Sequence, residues 1–357
     1  MAKLFLVSVQ AFIFLEMLCD AAAVNYDEKL ARKMLSMSAA AYFPSSNNCL
    51  KTNLLKEDEW KHLHSVDNKC DILASTCAAY IAISDKKKQI AVAFRGTTTK
   101  SQLLLEAIDS LSPGEEFFGI GFVHQYFKNG LSEVWASVNK TLAAPKTKDY
   151  EVFFTGHSLG GALASLAAVL TVKLGFRPSD KVKMFSFGQP RVGDSTFAFT
   201  YDRLVPFSFR IVNKGDIVSH VPKCIWGDAF YAGSKFRNRN NVTGELPQQI
   251  CISGPEDSYY HHGTEVWYPE GMGKNAKYVV CSGNPKNEDI ACSDGLYHKE
   301  TGFTTADHYP YFVQDVWQFG QDDCKESAAA SVVHTDAVNA LRNLFINYLQ
   351  RGLTGKK

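Results

Sequence analysis

A strand that runs straight into a helix through a serine-bearing turn constrains this chain most. Tyr150 to Thr155 is apolar and reads as a strand, and Leu159 to Leu174 reads as an Ala/Leu-rich helix. Between them stands Gly156-His157-Ser158-Leu159-Gly160, a Gly-x-Ser-x-Gly pattern that Gly161 extends. Alone the pattern says little, since residue frequencies give on the order of 0.1 chance matches in a chain of this length. In a strand–turn–helix context it is the pattern of a nucleophile elbow. The serine sits on a sharp, strained turn, and the glycines let strand and helix pass close together. The amides of the helix N-terminus point toward its oxygen.

The surrounding elements follow the same alternation. Tyr26 to Tyr42 reads as an amphipathic helix, with Leu30, Met34 and Met37 at helical spacing. Ala78 to Ser84 and Gln89 to Phe94 read as strands split by the polar turn Asp85 to Lys88. A helix is expected over Val123 to Leu142, a strand over Val182 to Phe187, a helix over Thr196 to Leu204 and a strand over Phe209 to Val212. Strands alternating with helices predict a mostly parallel central sheet with helices on both faces, an α/β fold. From Val221 to Cys292 the pattern loosens into what read as disulfide-tied loops, with a short strand pair at Thr264 to Tyr268 and Tyr278 to Cys281.

A serine nucleophile needs donors for the oxyanion it creates. The Leu159 amide is one candidate. Phe94-Arg95-Gly96-Thr97-Thr98, after an earlier strand, supplies Thr97 as the second. Each such donor is worth roughly 2.7–4 kcal/mol of barrier. The alternative reading of Arg95-Gly96-Thr97 is a plain β-turn. An orienting acid and a base should follow in the chain. Asp216, just after the strand Phe209 to Val212, points to the sheet edge where such sites form. Asp194 is a rival, but it directly precedes a helix and reads as an N-cap. Six histidines follow Asp216: His220, His261, His262, His298, His308 and His334. Spacing does not choose among them. His261 and His262 lack an accompanying carboxylate–histidine cluster, so no metal is expected there. They read instead as hydrogen-bonding groups at a strand start.

Charge and cysteines bear on compartment and partner. The formal charge is +1, from 38 basic and 37 acidic side chains, which gives no support to nucleic-acid binding. Lys3, the mostly apolar Leu4 to Leu18 and the small residues Ala21-Ala22-Ala23 read as a cleaved signal peptide over residues 1–23, too short and charged for a membrane anchor. Nine cysteines are present. Removal of the leader takes Cys19 and leaves an even set: Cys49, Cys70, Cys77, Cys224, Cys251, Cys281, Cys292 and Cys324. Neighbourhood in sequence pairs Cys70 with Cys77 and Cys224 with Cys251. A secreted chain also gives meaning to the N-glycosylation sequons at Asn139 and Asn241.

Taken together, these motifs resemble the secreted class 3 lipases, the fungal triacylglycerol lipase type, and most closely the disulfide-rich nematode members. The matching stretches are Ser38 to Tyr42, Phe94 to Thr97, Gly156 to Gly161, Phe187 to Gly193, Asn213 to Pro222, His261 to Tyr268 and Asp307-His308. The resemblance implies an α/β-hydrolase fold over residues 24–324 and a catalytic triad of Ser158, Asp216 and His308. It implies Thr97 and Leu159 as the oxyanion pair and no cofactor. It also implies the disulfides Cys49–Cys324 and Cys281–Cys292. Gln102 to Leu111 occupies the family's lid position, with Leu103, Leu104, Ala107, Ile108 and Leu111 on one helical face. That face predicts a substrate met at a lipid–water interface; the alternative is a helix that stays packed over the pocket. Phospholipase, carboxylesterase or feruloyl esterase activity on the same triad is the alternative chemistry, and a non-catalytic lipid carrier the alternative function. No obligate protein partner is expected. After Cys324 the chain departs from the family with a tail, residues 325–357, whose Val332 to Leu349 reads as an amphipathic helix packed on the domain, with a membrane-surface or partner helix as the alternative.

Overall fold

The computed structural model describes residues 25–43, 48–52, 54–70, 76–98, 114–228, 249–254, 258–273, 275–281, 283, 287–298, 302–313 and 315–325. The residues 1–23 expected as a signal peptide, the residues Leu103, Leu104, Ala107, Ile108 and Leu111 expected as a lid, the sequon at Asn241, His334 and nearly all of the tail lie outside the described residues.

Helix α1 (Glu28–Ala40) starts at Asp27, whose carboxylate caps it by accepting from the Leu30 amide at 3.2 Å. It precedes the strands β1 (Lys61–Lys69), β2 (Thr76–Ser84) and β3 (Gln89–Phe94). A small hairpin, β4 (Gly114–Glu116) and β5 (Phe122–His124), leads into α2 (Gln125–Leu142). Next come β6 (Glu151–His157), α3 (Leu159–Lys173), β7 (Val182–Phe187), α4 (Ser195–Leu204) and β8 (Ser208–Asn213). The last part holds β9 (Ile225–Asp228), β10 (Gln249–Ile252), β11 (Thr264–Tyr268), β12 (Val279–Val280) and α5 (Val316–Gln321).

Eight strands form one sheet in the order β1-β2-β3-β6-β7-β8-β11-β12. The run from β3 to β11 is parallel; β1, β2 and β12 join antiparallel at the edges. Side chains of the central strands alternate between two cores, as a two-residue period requires. Val152 and Phe154 point to the face covered by α2 and α3, where Val134, Leu163 and Leu166 meet them. Phe153 and Phe185 point to the opposite face, beneath Met34 and Leu35 of α1 and Val316 of α5. Each such burial stabilises by roughly 1.5–3 kcal/mol, which is why the central strands read as unbroken apolar runs.

The expected strand pair appears as β11 and β12. Two features differ from expectation. Strand β1 was not legible, because this edge strand is exposed along much of its length and carries Lys-His-Leu-His-Ser-Val-Asp-Asn-Lys. The loops expected after Val221 contain a two-stranded ribbon, β9 with β10, in which Cys251 stands opposite Trp226. All four expected disulfides form, Cys49–Cys324, Cys70–Cys77, Cys224–Cys251 and Cys281–Cys292, with Cα separations of 4.9, 5.5, 5.6 and 6.2 Å. Among the described residues, no helix is long and apolar enough to cross a membrane.

Parallel order puts the C-terminal ends of β3, β6, β7 and β8 along one edge. Gly96-Thr97, Ser158, Gly188 and Asp216 follow those four ends.

Candidate active site

Ser158 joins β6 to α3 at φ 61° and ψ −131°, a backbone conformation that L-residues rarely adopt. Its neighbours make that turn possible. A side chain at Gly156 would fall on the Gly160 carbonyl, and one at Gly160 would fall on the carbonyl of Phe94 at the end of β3. The same close approach sets the helix start beside the Arg95-Gly96-Thr97 loop. The Ser158 amide donates to the Phe187 carbonyl at 2.8 Å, which ties the elbow to β7. Ser158 is buried, and its Oγ makes no hydrogen bond among the described residues.

Asp216 caps the short turn Ile217–His220, accepting from the Val218 amide at 2.9 Å. The segment carrying His308 is pinned beside it: the Thr304 amide donates to the Gly215 carbonyl at 2.8 Å, and Asp216 and Thr304 form a parallel bridge. His308 Nδ1 thereby lies 3.0 and 2.9 Å from the two carboxylate oxygens of Asp216. Tyr311 donates its hydroxyl to Asp216 Oδ2 at 2.5 Å. Burial would raise the Asp216 carboxyl, but the His308 ring, the Tyr311 hydroxyl and the Val218 amide outweigh it and hold the group below its ordinary range. Asp216 is therefore an anion, and the Nδ1 that faces it carries the proton. In the neutral form of the ring that tautomer leaves Nε2 as the acceptor.

Two residues that the sequence reading passed over border this pair. Gly188, at φ 61°, lies so close that a side chain would stand 2.6 Å from Asp216 Oδ2 and 2.8 Å from His308 Nδ1. The Phe187-to-Gly193 stretch was the available signal. His157, the variable position of the elbow motif, stacks on His308 with ring centroids 4.5 Å apart. Its Nε2 is 2.8 Å from the His308 carbonyl and its Nδ1 is 2.8 Å from the Tyr42 hydroxyl.

Arg95 anchors the loop before Thr97. Its guanidinium pairs with Asp67 at 3.1 Å and donates to the Thr76 carbonyl at 2.7 Å, beside the Cys70–Cys77 bridge. Thr97 is half-buried and Leu159 buried. Asp194 caps α4, accepting from the Phe197 amide at 2.7 Å, as expected of an N-cap. His261 meets the Ser219 carbonyl at 2.7 Å through Nε2, which is the hydrogen-bonding role expected of it.

Behind the site lies a buried ionic cluster. Arg191 holds Glu288 through Nε at 2.8 Å and Nη2 at 2.7 Å, and donates to the His220 carbonyl at 2.8 Å. Asp294 lies 3.4 Å from the same guanidinium. Burial and the neighbouring Glu288 push its carboxyl well up, whereas Arg191 holds Glu288 down to about 2 despite burial. The sulfurs near these carboxylates are in disulfides and offer no thiolate.

A strained serine at a strand–helix elbow of a mostly parallel sheet, with a histidine–aspartate pair on the loops beyond the neighbouring strand ends, belongs to the ester-hydrolysing serine hydrolases of α/β-hydrolase fold. Comparison narrows the class. The family model described as Lipase (class 3) matches residues 91–226. Lipase ZK262.3 of Caenorhabditis elegans is 41% identical over 308 residues, 85% of this chain and 84% of that one. Secreted mono- and diacylglycerol lipase 1 of Fusarium solani is 31% identical over 214 residues, 59% of this chain and 57% of that one. The solved structure of lipase II from Rhizopus niveus matches with a TM-score of 0.58 at 26% identity, covering 80% of this chain and 94% of that one. The chain belongs to the class 3 lipase family.

Proposed function

We propose that Ser158, His308 and Asp216 form a catalytic triad that hydrolyses acylglycerol esters through an acyl-enzyme. The observation that carries the reading is the His308–Asp216 pair at 2.9 Å, beside a serine held in the elbow conformation. His308 Nε2, with its lone pair, takes the Ser158 proton as the oxygen attacks the ester carbonyl. Asp216 holds the tautomer and stabilises the imidazolium that forms. The amides of Thr97 and Leu159 donate to the oxyanion. The alcohol leaves with the proton returned by His308, and water then cleaves the acyl-enzyme through the same base.

The Leu-rich sequence that carries Leu103, Leu104, Ala107, Ile108 and Leu111 supports a lipid–water interface as the place of action. Its composition favours acylglycerols over the polar substrates of feruloyl esterases. The disulfides and the leader-like residues 1–23 support secretion, with Asn139 and Asn241 as glycosylation sites. Asn139 is half-buried in the last turn of α2, whereas a polar Asn-rich context favours Asn241. Residues 24–324 would be the mature catalytic domain and 325–357 an appended helix.

One experiment tests the reading: labelling with a fluorophosphonate, followed by hydrolysis of soluble and emulsified acylglycerols. Ser158 takes the label, Ser158→Ala abolishes both label and turnover, and the rate climbs once the ester exceeds its solubility. A Ser158→Ala protein that keeps full esterase activity would overturn the mechanism. A rate with no rise at the solubility limit would overturn the interfacial part alone.

A further inference from the structure

The proposed chemistry needs three segments in register that lie far apart in the chain: the loop after β3, the elbow after β6 and the loop that carries His308. One buried hydrogen-bonded chain touches all three. It begins at Tyr42, just past the end of α1, whose backbone is fixed by donation from its amide to the Ala39 carbonyl at 3.0 Å. The Tyr42 hydroxyl packs on Gly96 so tightly that a side chain at Gly96 would fall on it. The hydroxyl also lies 2.8 Å from His157 Nδ1, and His157 Nε2 lies 2.8 Å from the His308 carbonyl.

The donors in this chain follow from chemistry. A carbonyl only accepts, so His157 Nε2 carries hydrogen and donates to His308. Burial and the neighbouring His308 hold the His157 imidazole down to about 3, so the ring is neutral and its Nδ1 has a lone pair. Burial pushes the Tyr42 phenol well up, so it keeps its proton and donates to that lone pair. Each bond therefore sets the next: Tyr42 selects the His157 tautomer, and that tautomer alone reaches the backbone of His308. Stacking of the two imidazoles at 4.5 Å fixes their spacing.

We infer that Tyr42 and His157 are positioning residues, a hydrogen-bonded brace that holds the oxyanion loop, the nucleophile elbow and the backbone of His308 in catalytic register. The inference rests on the triad reading above. Both act through other groups: Tyr42 through His157, and His157 through the carbonyl and ring face of His308. Without the Tyr42 hydroxyl, His157 is free to take the other tautomer and drop the His308 carbonyl. The ring of Tyr42 still fills its space, so the loss falls on alignment more than on packing.

The test compares wild type, Tyr42→Phe, His157→Gln and His157→Leu on a soluble short-chain ester, with turnover expressed per serine titrated by a fluorophosphonate. A glutamine amide N–H still reaches the His308 carbonyl, whereas leucine offers no donor. Tyr42→Phe is expected to lower kcat about tenfold, the transition-state cost of about one hydrogen bond, with KM within about twofold. His157→Gln should recover most of the activity that His157→Leu loses. The brace is overturned if Tyr42→Phe keeps wild-type kcat per titrated serine, or if His157→Gln is as impaired as His157→Leu. It is also overturned if only the melting temperature and the titratable fraction fall, which is the signature of a structural role. A wild-type protein inert to both probe and ester would overturn the triad reading itself, and the brace with it.

Discussion

Tyr311 and His308 share one oxygen of Asp216: the hydroxyl donates to Oδ2 at 2.5 Å while the ring nitrogen lies 2.9 Å from it. The Tyr311 oxygen in turn accepts from the Asn213 amide at 3.3 Å, so the phenol ties the carboxylate to the end of β8. Tyr311→Phe deletes the donor with little change in volume. A hydrogen bond to a buried charge is worth about 1.5–3 kcal/mol. We expect a loss of stability of that order in urea denaturation, with kcat reduced and KM little changed.

Gly188 leaves no room for a methyl group. In Gly188→Ala the new Cβ would meet Asp216 Oδ2 at 2.6 Å and His308 Nδ1 at 2.8 Å, and φ of 61° adds strain. A displacement of about 1 Å at reacting groups costs on the order of 100-fold in rate. Turnover of a soluble ester should fall by about that factor. Wild-type turnover in this variant would show that the pair does not need the space.

Acid should unfold this protein through its buried histidines. Burial holds His157, His220 and His262 down to about 3 and His261 well below 6.5. The unfolded chain binds protons at these four sites below pH 6.5 and the folded chain does not. Stability is therefore complete above 6.5 and is lost as pH falls toward about 3. Within that window each histidine contributes a slope of about 1.4 kcal/mol per pH unit. Chemical denaturation at pH 7.5, 6 and 5 should show midpoints falling increasingly steeply; a flat profile would contradict the neutral assignment.

Arg191 is fully buried and its ion pair with Glu288 has no solvent exposure on either side. Removing one partner of such a pair costs about 3–5 kcal/mol, because a buried charge is left unpaired. Arg191→Met should lower stability by that amount. Arg191→Lys should restore only part, since an ammonium cannot span both Glu288 oxygens and the His220 carbonyl. Equal stability of Arg191→Lys and wild type would show that charge alone suffices.

Legibility followed burial. The strands β6, β7 and β8 are covered on both faces and could be read from apolar runs alone. Strand β1 pairs with β2 at the sheet edge, so its polar side chains carried no period that marks a strand. Within the site, Ser158 was legible because its turn chemistry is local. His308 could not be chosen by spacing from six histidines, because its place depends on the pairing of Thr304 with Gly215, a contact between remote loops. His157 and Tyr42 gave no signal as a pair: only the folded chain shows that a motif's variable position meets the second residue past the first helix. Gly188 lies in a stretch that marks the family, but only the folded chain shows that Asp216 and His308 fill the volume beside it.

The wide spacing of the parts along the chain has a consequence for manufacture. His157 and His308 are 151 residues apart, and the Cys49–Cys324 bridge spans 275. Synthesis delivers the N-terminal side first. The ribosome therefore releases the elbow and its serine long before the base, and the longest cross-link can close only after both. On the triad reading, a chain that stops short of His308 carries a nucleophile without its base. On the same reading, hydrolytic activity waits for the C-terminal segment that carries His308 and for the cross-link that closes after it.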